Sequence, residues 1–214
     1  QTAAGMEETL AALGRAVLEA KVDGARIQVH RVGGRVAVFT RTGRDITPAV
    51  PQVVAAVLAA PAEALILDGE AVALGPGGRP LPFQETMSRF GRRRAAPQGG
   101  EVPLTPLFFD CLHCDGADLI ARPGEERWET LAAAVGPERR VARAVTGDPA
   151  RAGEFYDRVL AQGHEGVMVK DPAAPYEAGR RGAAWLKVKP AVTFDLVILG
   201  AEWGSGRRRG FLSN

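Results

Sequence analysis

The sequence predicts an α+β fold built on antiparallel sheets. Three observations carry that expectation. Strand-like runs follow one another through tight turns, as at Gly33-Gly34. The alternation of strands and helices lacks the regular βα rhythm and Gly-rich turn of a dinucleotide-binding sheet. Acids and lysines also recur inside apolar strands, in a pattern that gives each strand one polar and one apolar face.

Residues 6–14 (MEETLAALG) read as a short helix ended by Gly14. AVLEAKV (16–22), RIQVHR (26–31) and RVAVFTR (35–41) are strand-like, and Gly33-Gly34 turns a hairpin between the last two. Residues 50–59 look helical, 64–74 (ALILDGEAVAL) form a strand, and GPGGRP turns the chain. FQETMSRFG is a short helix and RRRAAPQGGEVP a loop. LTPLFFDCL is a buried strand, GEERWETLAAAV a helix and VARAVT a short strand. DPARAGEFYDRVLAQG opens as a helix with Asp148 as cap and Pro149 at its first position. HEGVMVK and AAWLKVKP are strands. A domain boundary is expected at Pro190–Ala191, giving residues 1–190 and 191–214. Beyond it TFDLVILGAEWG reads as one strand with no partner, so the chain is expected to stop just inside a second domain.

The length of 214 residues is ample for a core, and 46% hydrophobic with 24% charged residues describes an ordinary globular chain. A net charge of only +2 means that local Arg clusters must carry any nucleic-acid argument. No run approaches the ~18 apolar residues of a spanning helix. The start lacks the basic and apolar regions of a signal peptide and does not begin with Met, so a fragment or processed product is expected. Cys111 and Cys114 fit a reducing cytosol. Their C-x-x-C spacing has only His113 nearby, too few ligands for zinc, so two free thiols are expected. His30, His113 and His164 show no metal spacing and receive no catalytic role.

Among 27 basic residues only four are lysine: Lys21, Lys170, Lys187 and Lys189. A lysine can lose its proton and act as a nucleophile, which a guanidinium cannot. On a strand Glu19, Lys21 and Asp23 share a face, and Gly24 allows a turn or the close approach of a ligand. An amine between carboxylates and beside Arg26 can attack phosphorus if a metal and nearby cations lower its pKa. Taken alone, the segment also fits a surface strand of salt bridges. Asp68 and Glu70 share a strand face suited to a metal or ribose hydroxyls. Glu165 precedes another apolar strand. Lys187 and Lys189 share a face while Leu186 and Val188 pack inward, and two such ammonium groups call for an anion such as a triphosphate. Phe109 could stack on a purine, although an aromatic in such a strand is as readily core. Lys170, five residues after Glu165, is expected on the opposite strand face.

KVDGAR, LDGEAVAL, LFFD, EGVMVK and WLKVKP stand in the order and approximate spacing of the ATP-dependent DNA ligases, which the chain resembles over nearly its whole length. RTGRDIT (41–47) resembles the segment after the ligases' first motif. PFQETMSRFGRR (82–93) resembles a stretch of ligases that carry an extra DNA-binding domain. EWGSGRRRGFLSN is similar to the opening of the ligase OB-fold domain. The resemblance implies an ATP-grasp-like, antiparallel-sheet nucleotidyltransferase domain. In it Lys21 attacks the α-phosphorus of ATP and holds AMP, which passes to the 5′-phosphate of nicked DNA before the 3′-hydroxyl seals the strand. It implies that Glu19 meets adenine through its backbone, and that Arg26 and Arg41 bind sugar and phosphate. Phe109 would stack on adenine. Lys187, Lys189 and Arg181 would hold phosphate. Glu70, Glu165 and Asp23 would hold Mg²⁺ or Mn²⁺, Glu70 also reaching the ribose.

Arg92, Arg93, Arg94, Arg207 and Arg208 lie in Gly- and Pro-rich surroundings suited to sequence-independent contact with duplex DNA, or to plain solvated surface. The expected setting is a monomer in the bacterial cytoplasm, with no membrane contact and with DNA-binding and OB domains outside this chain. Because the ligases' last basic motif is not in the sequence, weak self-adenylation is expected. An RNA ligase or mRNA-capping enzyme shares the KxDGxR logic, and a non-catalytic nucleic-acid-binding module is the reading from another class. NAD⁺-dependent ligases fit less well, because nothing before Lys21 resembles their nicotinamide-binding portion.

Overall fold

The computed structural model describes residues 3–90, 104–178, 185–191, 193, 195, 197 and 199–213. Helix α1 (Ala3–Leu13) leads into β1 (Ala16–Lys21), β2 (Ala25–Val32) and β3 (Arg35–Thr40). Helix α2 (Pro51–Leu58), β4 (Ala64–Ala73), α3 (Phe83–Phe90) and β5 (Leu104–Cys114) follow. Then come β6 (Ala117–Asp118), α4 (Gly124–Ala134), β7 (Arg143–Thr146), α5 (Pro149–Ala161), β8 (Gly166–Lys170) and β9 (Trp185–Val188). The chain reaches β10 (Glu202–Trp203) and β11 (Leu212–Ser213).

Every named ladder is antiparallel. One sheet has the order β7-β1-β8-β9 and the other β3-β2-β4-β5-β6. The first sheet shows why its strands carry mixed residues. Leu18, Ala20, Val167, Val169 and Val188 point to one face and pack with Met6 and Leu10 of α1 and Phe155 and Val159 of α5. Each of these side chains larger than alanine, fully buried, contributes about 1.5–3 kcal/mol. Cross-strand partners share a face, so the register Glu19↔Met168, Lys21↔Gly166 and Met168↔Lys187 puts the charged residues together on the other side.

In the second sheet Ile27, Val29, Val38, Leu65 and Leu67 pack with Val53 and Val57 of α2 and Leu131 of α4. Arg26 and Glu70 are cross-strand partners, as are Gln28 and Asp68. Val22, Val72, Leu107 and Val141 form a third cluster joining the two sheets, with Phe109 packed against it. Helix α5 is capped as its sequence demands: the Asp148 carboxylate accepts from Ala150 N at 2.9 Å, with Pro149 next in line.

The single unpartnered strand expected over 193–204 is corrected. Among the described residues only Glu202 and Trp203 of that stretch are in a strand, and they pair with Trp203↔Leu212 and Glu202↔Ser213. A Gly-bearing turn through Gly206 (φ 60°) folds the hairpin back, so the partner lies within the segment that looked strandless. No described helix is long and apolar enough to cross a membrane.

Candidate active site

Lys21 is the last residue of β1, and the Glu165 amide donates to its carbonyl at 3.1 Å. Its ammonium also donates to Glu165 Oε2, while Lys189 Nζ donates to Oε1 at 2.6 Å. Burial opposes ionisation of Glu165, but the hydrogen bonds from Lys189 and Lys21 outweigh it and hold the carboxyl below its ordinary pKa. The Glu165 hydrogen bond in turn raises the pKa of Lys189. Lys187 is exposed on the same sheet face, and Val188 is fully buried behind it.

Lys170 corrects the sequence expectation. It faces the same cleft as Lys21, ion-paired to Glu19 and 4.1 Å from the centre of the Trp185 ring. Simple alternation across Glu165–Lys170 fails at Gly166, whose φ is 151° and whose absent Cβ would lie 2.2 Å from Val188 O. Glu165 therefore precedes β8 instead of alternating with it. The Glu19 side chain is buried between Lys170 and Arg143, the latter at 3.9 Å.

The second sheet contributes Arg26. Its Nε donates to Asp68 Oδ1 at 3.1 Å and its Nη2 to Asp68 Oδ2 at 2.5 Å. The Tyr176 hydroxyl donates to Asp68 Oδ2 at 2.7 Å and accepts from Arg26 Nη2 at 3.1 Å. Burial opposes the charge on Arg26, yet Asp68 raises its pKa overall. Asp68, 1% exposed and occupied by these partners, is therefore a brace for Arg26 and not the open metal or ribose ligand that alternation suggested.

Glu70 Oε2 accepts from the Gly24 amide at 2.8 Å. Burial pushes the Glu70 carboxyl up to about 7, against the opposing pull of the Gly24 N–H and of Lys21. Gly24 is explained by packing: a Cβ there would meet Val72 Cγ1 at 2.4 Å and Ala71 O at 2.7 Å. Gly24 also stands at the bend between β1 and β2, as the expected turn requires.

Phe109 reaches the cleft through a bulge. Asp68 faces Asp110 and Gly69 faces Phe108, which leaves Phe109 without a partner across the ladder. Its ring meets Trp185 edge-on at 6.0 Å, and Trp185 meets Tyr176 at 6.3 Å. Arg26 stands 5.7 Å from the Phe109 centroid and Lys170 4.9 Å. Lys21, Glu165, Lys189, Glu70, Arg26 and Phe109 thus border one cleft between the sheets.

Other expected residues lie elsewhere or outside the description. Asp23 is exposed beside the cleft, and Arg41 is exposed in the turn after β3, one residue past the pair Ile27↔Thr40. Arg207 and Arg208 are exposed in the β10–β11 turn. Arg92, Arg93, Arg94 and Arg181 fall outside the described residues. His113 bonds Asp118, His30 bonds Gln28, and burial lowers the His164 pKa. Cys111 is a buried thiol pushed up to about 12 by burial, and Cys114 is half-buried, both without a disulfide. Tyr176, Trp185, Arg127 and Arg143 are the cleft and support residues that the sequence reading did not single out. Arg127, 3% exposed, bonds Asp110 at 2.7 and 3.1 Å and donates to Ala174 O at 3.1 Å, which anchors the loop carrying Tyr176.

The family model described as the ATP dependent DNA ligase domain matches residues 1–189, the part that contains this cleft. The chain belongs to that family. Over its full length it is 62% identical to a probable DNA ligase of Anaeromyxobacter sp. (strain Fw109-5) and 56% identical to one of Mycobacterium avium (strain 104). It spans 41% of each of those relatives. Among solved structures it is similar to a mycobacterial DNA ligase D complexed with ATP and MES, at 28% identity and a TM-score of 0.63, covering 82% of this chain and 55% of the other. The antiparallel α+β fold is that of the ATP-dependent DNA ligases' adenylation domains.

Proposed function

We propose that this chain is the adenylate-transfer domain, residues 1–190, of a DNA ligase that seals nicked duplex DNA in the bacterial cytoplasm as a monomer, with residues 191–214 opening an OB-fold domain. The observation that supports this most is the placement of Lys21 on Glu165, with Lys189 on the other carboxylate oxygen. ATP enters with its base against Phe109 and its sugar near Arg26 and Glu70. Its phosphates draw Lys187, Lys189 and Lys21, with Arg41 and Arg181 as further cations for the sugar and phosphates. The Lys21 amine gives up its proton, with Glu165 as the adjacent acceptor, and attacks the α-phosphorus. An N–P bond forms as the bond to pyrophosphate breaks. AMP is then handed to the DNA 5′-phosphate, and the 3′-hydroxyl displaces it. Glu19 presents its backbone to the base while its side chain stays tied to Lys170 and Arg143. Arg92, Arg93, Arg94, Arg207 and Arg208 contact DNA phosphates.

The donor set fits a divalent cation of the magnesium type. Glu70 and Glu165 both lie beside Lys21, with Asp23 at the margin, and no cluster of three His, Cys, Asp or Glu side chains exists among the described residues. Mg²⁺ uses one or two carboxylates plus water and substrate phosphate. Bound there, it would neutralise phosphate charge.

The test is incubation with labelled ATP, followed by intact mass and peptide mapping. The expected product is a slow, partial gain of one AMP on Lys21, lost in Lys21→Ala. AMP on any other residue, or equal labelling of Lys21→Ala, overturns the mechanism. Labelling by GTP in place of ATP would favour the capping-type alternative.

A further inference from the structure

The Arg26 guanidinium borders the cleft with most of its donors spent. Its Nε bonds Asp68 Oδ1 at 3.1 Å, while Nη2 bonds Asp68 Oδ2 at 2.5 Å and the Tyr176 hydroxyl at 3.1 Å. Nε and Nη2 are thereby fully used, and Nη1 keeps its N–H groups without a hydrogen-bond partner among the described residues. The phenol has no choice of direction. Arginine offers no acceptor, so the Tyr176 hydroxyl accepts from Nη2 and gives its own proton to Asp68 Oδ2, at 2.7 Å. Burial raises the pKa of this phenol, and the charge on Asp68 adds to it, so the proton stays in place. Without the hydroxyl, Nη2 would carry a free N–H as well, and the guanidinium would meet a ligand from either end.

Tyr176 reaches this pair from the other half of the cleft. It lies in the loop after β8, the strand that Glu165 leads into. Its amide donates to Ile120 O at 2.9 Å. Pro172 O and Ala174 O of the same loop accept from the Glu125 and Gly124 amides at the start of α4, at 3.0 and 3.1 Å. Its ring stands edge-on to Trp185, the first residue of β9, and 5.9 Å from the Arg127 guanidinium. A hydroxyl carried by a loop of the first sheet is thus fixed on two side chains of the second. We propose, on the reading of the cleft as the ATP site, that Tyr176 is a positioning residue which holds Arg26 so that only Nη1 is offered to the nucleotide. Fixing a long side chain before the ligand arrives removes the cost of immobilising it on binding. Arg26 serves the bound and the reacting nucleotide alike, so loss of the hydroxyl appears in KM and not in the rate at saturating ATP.

Tyr176→Phe keeps the ring against Trp185 and Arg127 and removes only the hydroxyl. The rate of AMP gain on Lys21 is followed against ATP concentration, and ATP affinity is measured separately by equilibrium titration. Tyr176→Phe should raise both KM and the dissociation constant about 3–10-fold, the cost of ordering one long side chain. The rate at saturating ATP should stay within about twofold of the parent's. In an Arg26→Lys background, which keeps a charge beside Asp68 but has no fork, the same substitution should change neither constant. If Arg26→Lys no longer melts cooperatively, Arg26→Gln with Asp68→Asn serves as the background, since it removes both charges together. Unchanged KM and affinity in Tyr176→Phe, a fall in the saturating rate alone, or an equal loss in both backgrounds overturns the role of Tyr176, while AMP on Lys21 of the parent leaves the ATP site standing. No AMP on Lys21 of the parent overturns the ATP site and the role of Tyr176 with it.

Discussion

Replacing Arg127 with Met tests the support beneath the cleft. Arg127 is 3% exposed and Asp110 also 3%, and they share two hydrogen bonds at 2.7 and 3.1 Å. Arg127 also donates to Arg122 O at 2.6 Å and Ala174 O at 3.1 Å. Methionine fills much of the volume but leaves the Asp110 charge buried with, among the described residues, only the Cys111 amide donating to it, at 3.0 Å. Breaking a buried pair on one side costs about 3–5 kcal/mol. At about 2–4 °C per kcal/mol for a chain of this length, the melting temperature should fall by roughly 6–20 °C. Adding Asp110→Leu removes the stranded charge. Ala174 O keeps its bond from the Gly124 amide, so Arg122 O is the group left bare. The double variant should therefore recover to within about 1–3 kcal/mol of the parent. Urea denaturation of the parent, both single variants and the double variant gives the coupling energy directly. A loss below about 1 kcal/mol in Arg127→Met, or a double variant less stable than that single one, would refute the reasoning.

Three further outcomes are expected. Gly166→Ala should lose about 1–3 kcal/mol or more and uncouple Glu165 from Lys21, because its Cβ would lie 2.2 Å from Val188 O at a φ of 151°; unchanged melting and AMP labelling would contradict this. Burial raises the Glu70 pKa from 4.5 to about 7, so the fold holds more protons than the unfolded chain across that window and loses stability as pH rises through it. Glu70→Gln cannot titrate, so urea unfolding should show its stability rising relative to the parent between about pH 5 and 7; a relative fall would count against the assignment. Phe109→Ala should weaken ATP binding by roughly 5–150-fold, the ~1–3 kcal/mol of one lost base stack, while Phe109→Tyr stays close to the parent; equal ATP affinities in a direct titration would remove Phe109 from the base site.

The strands were legible because alternation is a local property. The segment 16–22 was read as a strand and is one over Ala16–Lys21, with Glu19 and Lys21 on one face as expected, while Asp23 lies past the end of the strand. Alternation misplaced residues wherever the backbone breaks its own period. Gly166 sets Glu165 apart from the face count of β8, which is why Lys170 was expected on the opposite face. Tyr176 could not be read, because its partners Asp68 and Arg26 lie more than a hundred residues away and it sits in a loop. Arg127 did leave a signal. It stands with Leu131 and Ala134 at i, i+4 and i+7, on the buried face of α4, where a charge needs a partner.

The charges of the cleft explain why several lysines stand here in a chain that otherwise uses arginine. Glu165 is shared by Lys21 and Lys189, and Glu19 by Lys170 and Arg143. Each acid is thus outnumbered, and Lys187 adds an exposed cation on the same face. Across the cleft Asp68 is matched to Arg26, and burial raises the Glu70 carboxyl to about 7, so that only about half of it is ionised at pH 7. The cleft therefore carries a surplus of positive charge from its own side chains, and burial weakens the charge on Glu70. On the proposed mechanism a polyphosphate would supply the balancing negative charge and compete with Glu165 for both ammonium groups. On that mechanism Lys21 is the one cation that must also give up a proton, which a guanidinium at that position would not do.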